Sequence, residues 1–163
     1  MKLIEKAYAL FLRVANASQS VFLLAVRLYW GWQLWQTGRG KLSDIPKVID
    51  YFTSLGVPAP AFNAHFIAWL EAVGGVLLVL GLGARLISVP LVIDMIVAYD
   101  VGDHEALTSL LSDPDKFSAA APFTFLFASL LVLLFGPGWF SLDSIIAWFH
   151  KKRQPASAAA EPF

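Results

Sequence analysis

Arg27, Glu71 and Asp94 sit in the middle of three stretches that otherwise read as membrane spans. An ionised side chain near the bilayer centre costs at least about 2.5–3.5 kcal/mol on insertion scales, so it is tolerated where it faces a partner or a wet cavity. Three such residues in three different spans point to one shared polar centre inside a helical membrane bundle.

Composition agrees. Of 163 residues, 58% are hydrophobic and 15% charged, against about 25% charged in ordinary soluble domains. The formal net charge is zero, which gives no reason to expect a nucleic-acid partner. There is no cysteine, so the chain has no disulfide, thiolate metal site or persulfide relay, and any sulfur chemistry belongs to a substrate or a partner. Six Trp and thirteen Phe supply rings for the membrane–water interface.

The apolar runs place four spans at 20–37, 61–82, 86–101 and 117–135. Before them, Leu3, Ile4, Ala7, Tyr8 and Phe11 recur at helical spacing. Ala15-Asn16-Ala17 resembles a signal-peptide cleavage site, but Glu5, Lys6 and Arg13 interrupt the apolar run a signal needs. Residues 1–19 therefore read as an amphipathic helix that lies in the interface or extends the first span. A loop over 38–60 contains Pro46, a short amphipathic segment over 48–55 and the closing Gly56-Val57-Pro58. Gly81 and Gly83 end the second span, and Pro90 falls near the start of the third, where loss of a backbone donor is cheapest. The loop 102–116 carries Asp103, Glu105, Asp113 and Asp115 against one lysine. Gly136-Pro137-Gly138 stops the fourth span, and Ser141 is the expected N-cap of a last amphipathic helix. The domain reading is a 1–19 interfacial helix, a 20–136 transmembrane domain, a 137–150 cytoplasmic amphipathic helix, and a 151–163 tail that is basic and then disordered.

Four spans put both termini on one side. Lys2, Lys6, Arg13, Arg85 and the Lys151-Lys152-Arg153 tail make that side the cytoplasm by the positive-inside rule. Arg39, Lys41 and Lys47 in the first outer loop run against the rule, so that loop has a separate reason for its charge, such as an anionic ligand or an acidic partner. The fold expectation is thus an all-α membrane protein, a four-helix bundle with cytoplasmic termini and amphipathic interfacial helices at both ends.

At about 1.5 Å rise per residue, Arg27, Glu71 and Asp94 lie roughly 10, 15 and 14 Å deep from their respective span ends. In a hydrocarbon layer of about 30 Å these depths overlap. If the three meet, one cation faces two carboxylates, and either one carboxylate keeps a proton or a further cation enters. That arrangement has acid–base potential. The plainer alternative makes Arg27–Glu71 a structural ion pair and gives Asp94 to Gln33 or Tyr99. Lys41 either anchors the interface or steers anions. The aromatic stripe of the first span either packs or forms a flat wall suited to a quinone ring. Glu71, Arg27 and Asp94 are accordingly the candidate catalytic residues, and Trp30, Gln33 and Lys41 the candidate ligand-binding ones. His65 and His104 are isolated and give no basis for a metal site. Gly74-Gly75 most simply permits close helix packing.

The ordered set of marks resembles the DoxX family of small four-span bacterial membrane proteins. The marks are Arg27 with Gly31, then Gly38-x-Gly40-Lys41-Leu42, and then Leu55-Gly56-Val57-Pro58-Ala59-Pro60. Glu71-x-x-Gly74-Gly75, Leu80-Gly81, Arg85 and Gly136-Pro137-Gly138-x-x-Ser141-Leu142-Asp143 complete the set. Asp94 is not among them. The resemblance implies a four-helix bundle in the bacterial inner (plasma) membrane. It also implies a link to membrane oxidoreductases, since the family name derives from a subunit of a thiosulfate:quinone oxidoreductase. The expected function is a subunit or partner of a membrane oxidoreductase acting with quinone or another lipophilic or small anionic substrate. The alternatives are a non-catalytic anchor or assembly factor, and a small proton-coupled transporter. The lipid bilayer, a soluble or membrane redox protein and further copies of the chain are the expected partners.

Overall fold

A computed structural model describes residues 2–153, and among them every regular element is a helix. The expected disordered tail over 154–163 lies outside the described residues. Helix α1 (Lys2–Ser43) is one unbroken helix of 42 residues, about 63 Å long. The amphipathic N-terminal segment is therefore continuous with the first span rather than a separate element. No proline interrupts it, and its first glycine is Gly31. The helix also runs on through Gly38 and Gly40, where a loop was expected, because Gly38 is held against a neighbouring helix.

Helix α2 (Ile45–Ser54) starts where the Asp44 side chain accepts from the Lys47 N–H at 3.4 Å, with Pro46 in the first turn. Helix α3 (Pro60–Leu80) ends at Gly81, whose φ of 66° is the left-handed region that glycine occupies without strain. The Gly81 and Leu82 N–H groups there donate to the carbonyls of Leu78 and Leu77. Helix α4 (Ala84–Gly102) follows, with Pro90 in its second turn. Two short helices, α5 (His104–Thr108) and α6 (Pro114–Ala119), fold the acidic loop. Lys116 bridges them through Glu105 at 2.8 Å, and this hydrogen bond, with the ammonium charge, holds the Glu105 carboxyl below its ordinary range. Helix α7 (Pro122–Phe135) is 14 residues long and begins later than the expected fourth span, because Ala120 is extended and Pro122 opens the helix. Helix α8 (Leu142–Arg153) begins after Ser141, whose Oγ accepts from the Ser144 N–H at 3.1 Å.

α1 packs chiefly on α3, α4 packs chiefly on α7, and α3 and α4 join the two pairs. The core between them is Leu34, Leu78, Ala84, Leu91, Met95 and Val132. The α1–α3 contact is a backbone contact. A Cβ at Gly38 would stand 2.2 Å from the Ala72 nitrogen, and one at Gly75 would stand 2.5 Å from the Trp35 nitrogen. Small residues at such crossings let helices approach within lipid, where there is no hydrophobic drive between them. On the opposite side of α3, Phe62, Phe66, Trp69, Val73, Val76 and Leu80 form an exposed stripe at steps of three and four. Soluble proteins rarely expose apolar surface on this scale. α3 and the stretch Ile4–Ser43 of α1 are each long and apolar enough to cross a membrane.

Gly38→Ala and Gly75→Ala should each destabilise the detergent-solubilised protein by about 1–3 kcal/mol or more, the range for overpacking a tight contact. Gly40 meets nothing within 4 Å, so Gly40→Ala should be neutral or stabilise by up to about 1 kcal/mol through helix propensity. Thermal melts of the three variants give the comparison.

Candidate functional site

The close approach of α1 and α3 determines which cation reaches Glu71. Gly38 rests on Ala68 and Ala72. Lys41 lies three residues beyond Gly38 on the same helix face, and Glu71 adjoins Ala72. The two side chains meet, with Lys41 Nζ 2.5 Å from Glu71 Oε1. Glu71 is 4% exposed. From α4, Asp94, 5% exposed, faces the same space.

That space is a cavity of about 470 Å³, within the range of small-molecule sites. Its floor carries Lys41, Glu71 and Asp94. Its walls are Ile67 from α3, Val97, Ala98 and Val101 from α4, and Val48, Tyr51, Phe52 and Leu55 from α2 and its C-terminal end. Lys47 and Asn63 add polar groups to the lining. Glu71 Oε2 and Asp94 Oδ2 are buried and accept no hydrogen bond. Leaving such an atom unpaired in a protein interior costs about 1–3 kcal/mol.

Arg27 is not part of this site. It lies at the C-terminal end of α3, 1% exposed, and each of its guanidinium nitrogens donates to a backbone carbonyl. Nε donates to Leu78 at 2.9 Å, Nη2 to Val79 at 3.2 Å and Phe140 at 3.1 Å, and Nη1 to Pro137. It thus caps the orphan carbonyls at the C-terminus of α3 and ties them to the segment between α7 and α8. Asp143 completes the knot. Its carboxylate accepts from the N–H groups of Gly83 at 2.8 Å and Ala84 at 3.0 Å, and its own N–H donates to Gly81 at 3.0 Å. A Cβ at Gly81 would meet Arg27 Nη2 and Ser141 Cβ at 2.6 Å. The expectation that Arg27 opposes Glu71 is therefore corrected. Overlapping depth in the bilayer does not ensure contact, because α1 presents Lys41 to Glu71 in the middle of α3 and sends Arg27 to the C-terminal end of that helix.

Trp30 and Gln33 also lie outside the cavity. Trp30 packs edge-on against Tyr29 and Phe125, with centroids at 4.7 and 5.7 Å. It precedes Lys41 by eleven residues, about 16 Å along the helix. Gln33 faces a shallow depression on α1 beside Tyr29, Trp32 and Gln36. Tyr99 donates to the Phe117 carbonyl at 2.7 Å rather than to Asp94. His65 and His104 are apart, each against a residue of its own helical turn or the preceding helix end. What the residues alone did not reveal is the part played by α2, although the amphipathic pattern over 48–55 was its signal.

An all-helical membrane protein with a part-buried Lys–Glu pair and a second carboxylate around one chamber is the class these features define. The chain belongs to the DoxX family: the sequence profile of that family, described as DoxX, matches residues 22–104. That segment contains Arg27, Lys41, Glu71 and Asp94. A Bacillus subtilis (strain 168) protein named "Putative oxidoreductase CatD" is 28% identical over 131 residues, covering 80% of this chain and 91% of that one. No solved structure matches the chain.

Arg27→Leu should destabilise the fold by about 3 kcal/mol or more, since it unpairs several buried carbonyls that a charged donor had satisfied. Arg27→Lys, with one compact ammonium in place of a fork, should recover only part of this. Melting temperatures in micelles, read beside wild type, test both.

Proposed function

We propose that this DoxX-family protein is a multi-pass component of a membrane oxidoreductase, and that its chamber takes a quinone or another small lipophilic ring compound. The observation that carries this reading is the chamber itself, with aliphatic and aromatic walls and two unpartnered carboxylate oxygens at its floor. Apolar walls suit a ring partitioning from lipid, and carboxylates suit the proton exchange that accompanies its redox change. Interconversion of a quinone and its quinol moves two electrons and two protons. The electrons pass to or from a partner redox protein, and Glu71 and Asp94 handle the protons. Lys41 acts on Glu71 by holding it in place.

In this reading α1, α3, α4 and α7 cross the bacterial plasma membrane, with both termini in the cytoplasm. α4, with 19 residues, is about 28 Å long and nearly spans the layer, whereas α7 alone reaches only about 21 Å and completes the crossing with the α6 segment before it. The chamber then sits in the outer half, where Lys41 and Lys47 account for the positive charge of that side. The name of the Bacillus subtilis relative supports the oxidoreductase class.

Gentle purification from native membranes, followed by mass spectrometry of co-purifying proteins and lipophilic small molecules, tests this. A redox protein and a ring compound are expected. Asp94→Asn should lose the small molecule by about tenfold or more while protein yield holds, the loss for one charge-assisted hydrogen bond. A ligand-free chain that binds another protein equally well with or without Asp94 would contradict the reading and favour a non-catalytic anchor. Proton-coupled flux in proteoliposomes that stops with Asp94→Asn would favour a transporter.

A further inference from the structure

We propose that α1 pairs with α1 of a second copy of the chain, along the face it turns away from its own bundle. This pairing rests on α1 crossing the membrane, as read above, and not on what the chamber holds.

α1 is longer than a crossing requires. Its 42 residues extend about 63 Å, twice a hydrocarbon layer of about 30 Å. α3, which runs beside it, has 21 residues and extends about 31 Å. The surplus lies at the N-terminal end of α1, where residues 4–19 are all exposed. Ile4, Tyr8 and Phe11 there are 75, 62 and 65% exposed. No proline or glycine precedes Gly31 in the described helix, so it has none of the usual causes of a kink that would lay this stretch on the lipid surface. It continues the axis of the span as a single rod with apolar side chains uncovered. Positions 4, 8, 11, 15, 18, 22, 25, 29, 32 and 36, at alternating steps of four and three, follow one face of that rod. Every one is exposed and none is charged. Glu5, Lys6 and Arg13 fall on other positions, and Arg27 and Lys41 turn into the bundle.

Inside the layer the deciding residue is Gln36. α1 meets α3 where Gly31 approaches Gly75 and where Gly38 approaches Ala72. Gln36 is therefore level with residues 72–75 of α3, about 8–12 Å inside the C-terminal end of that helix. It is exposed, in a shallow depression with Ala25, Tyr29, Trp32 and Gln33. Thr37 beside it returns its hydroxyl to the Leu34 carbonyl at 2.8 Å, whereas no group among the described residues bonds the Gln36 amide. Lipid tails offer it no partner. A carboxamide both donates and accepts, so it is complementary to itself. A two-fold axis along the membrane normal brings Gln36 to Gln36 at one depth, and each amide satisfies the other. A polar residue at one inward position also fixes the register of paired helices. A different membrane helix would need a polar group at the same depth, whereas a second copy carries one by symmetry.

The chain has no cysteine, so single introduced cysteines report proximity directly. Phe11→Cys, Ala25→Cys and Trp32→Cys sample this face, and Phe66→Cys samples the exposed stripe of α3 as a control. Each full-length variant is reconstituted at low protein density in phospholipid vesicles and oxidised with copper phenanthroline. Disulfide-linked dimer is expected at the three α1 positions and little at Phe66. Gln36→Leu, which touches no core residue, should weaken the dimer about threefold to tenfold, as for one interhelical hydrogen bond. Gln36→Asn, which keeps the amide, should recover part of the loss. Linkage at Phe66 as strong as on α1 would mean random collision, and monomer at all four positions would mean no pairing; either overturns the inference. Unchanged linkage with Gln36→Leu overturns the role given to the amide. Loss of pairing alone leaves the membrane reading standing, whereas chain stripped from the vesicles by alkaline carbonate overturns both.

Discussion

The backbone contact between α1 and α3 is the constraint on which the rest depends. Gly38 and Gly75 remove the side chains that would separate the two helices, and the axes then come close enough for Gly38 to rest on Ala68 and Ala72. Three residues further along α1 and one residue back along α3, Lys41 meets Glu71. The polar centre is therefore a consequence of where small residues fall. A methyl group at Gly38 would part the helices at the level where the ion pair must close. It would damage packing and site together, in keeping with the sensitivity of membrane helix interfaces to residue size.

The charged groups inside the bundle divide into two sets with different surroundings. Arg27 and Asp143 satisfy backbone groups at the end of α3, at the start of α4 and in the segment after α7. Theirs is a structural role in which almost every donor and acceptor is used. Around Lys41, near the middle of α3 and α4, Glu71 and Asp94 each have one buried oxygen without a partner. A buried ion pair is weak evidence for stability, since desolvation offsets much of the attraction. Retaining one beside a second, unpaired carboxylate is hard to explain by folding alone.

Much of the helical layout was legible in the residues. Gly81, Gly83 and Gly136 end helices and Ser141 caps the last one where the residues say they should, whereas the caps at Asp44 and Asp113 and the later start of α7 at Pro122 were not read. The length of α1 was not legible, because an uncapped run with no proline gives no sign of where an interfacial segment becomes a span. Nor was the identity of the cation facing Glu71. Depth along an axis follows from counting residues, but rotation about it does not. It is set by the glycines at the crossing, which serve packing and carry no charge pattern. With the crossing known, Lys41 follows, being three residues beyond Gly38. Asp94 was legible as a buried charge in an apolar run, yet neither of the partners expected for it pairs with it: Tyr99 donates to Phe117 and Gln33 lies outside the chamber.

The most direct test of the account is a pair of double-mutant cycles read by thermal stability in lipid. One cycle combines Lys41→Met with Glu71→Gln, and the other combines Arg27→Lys with Glu71→Gln. Residues in one ionic contact couple by about 0.5–3 kcal/mol, while separated sites add within about 0.3–0.5 kcal/mol. The account predicts coupling in the first cycle and additivity in the second. Coupling between Arg27 and Glu71, with Lys41 and Glu71 independent, would contradict it.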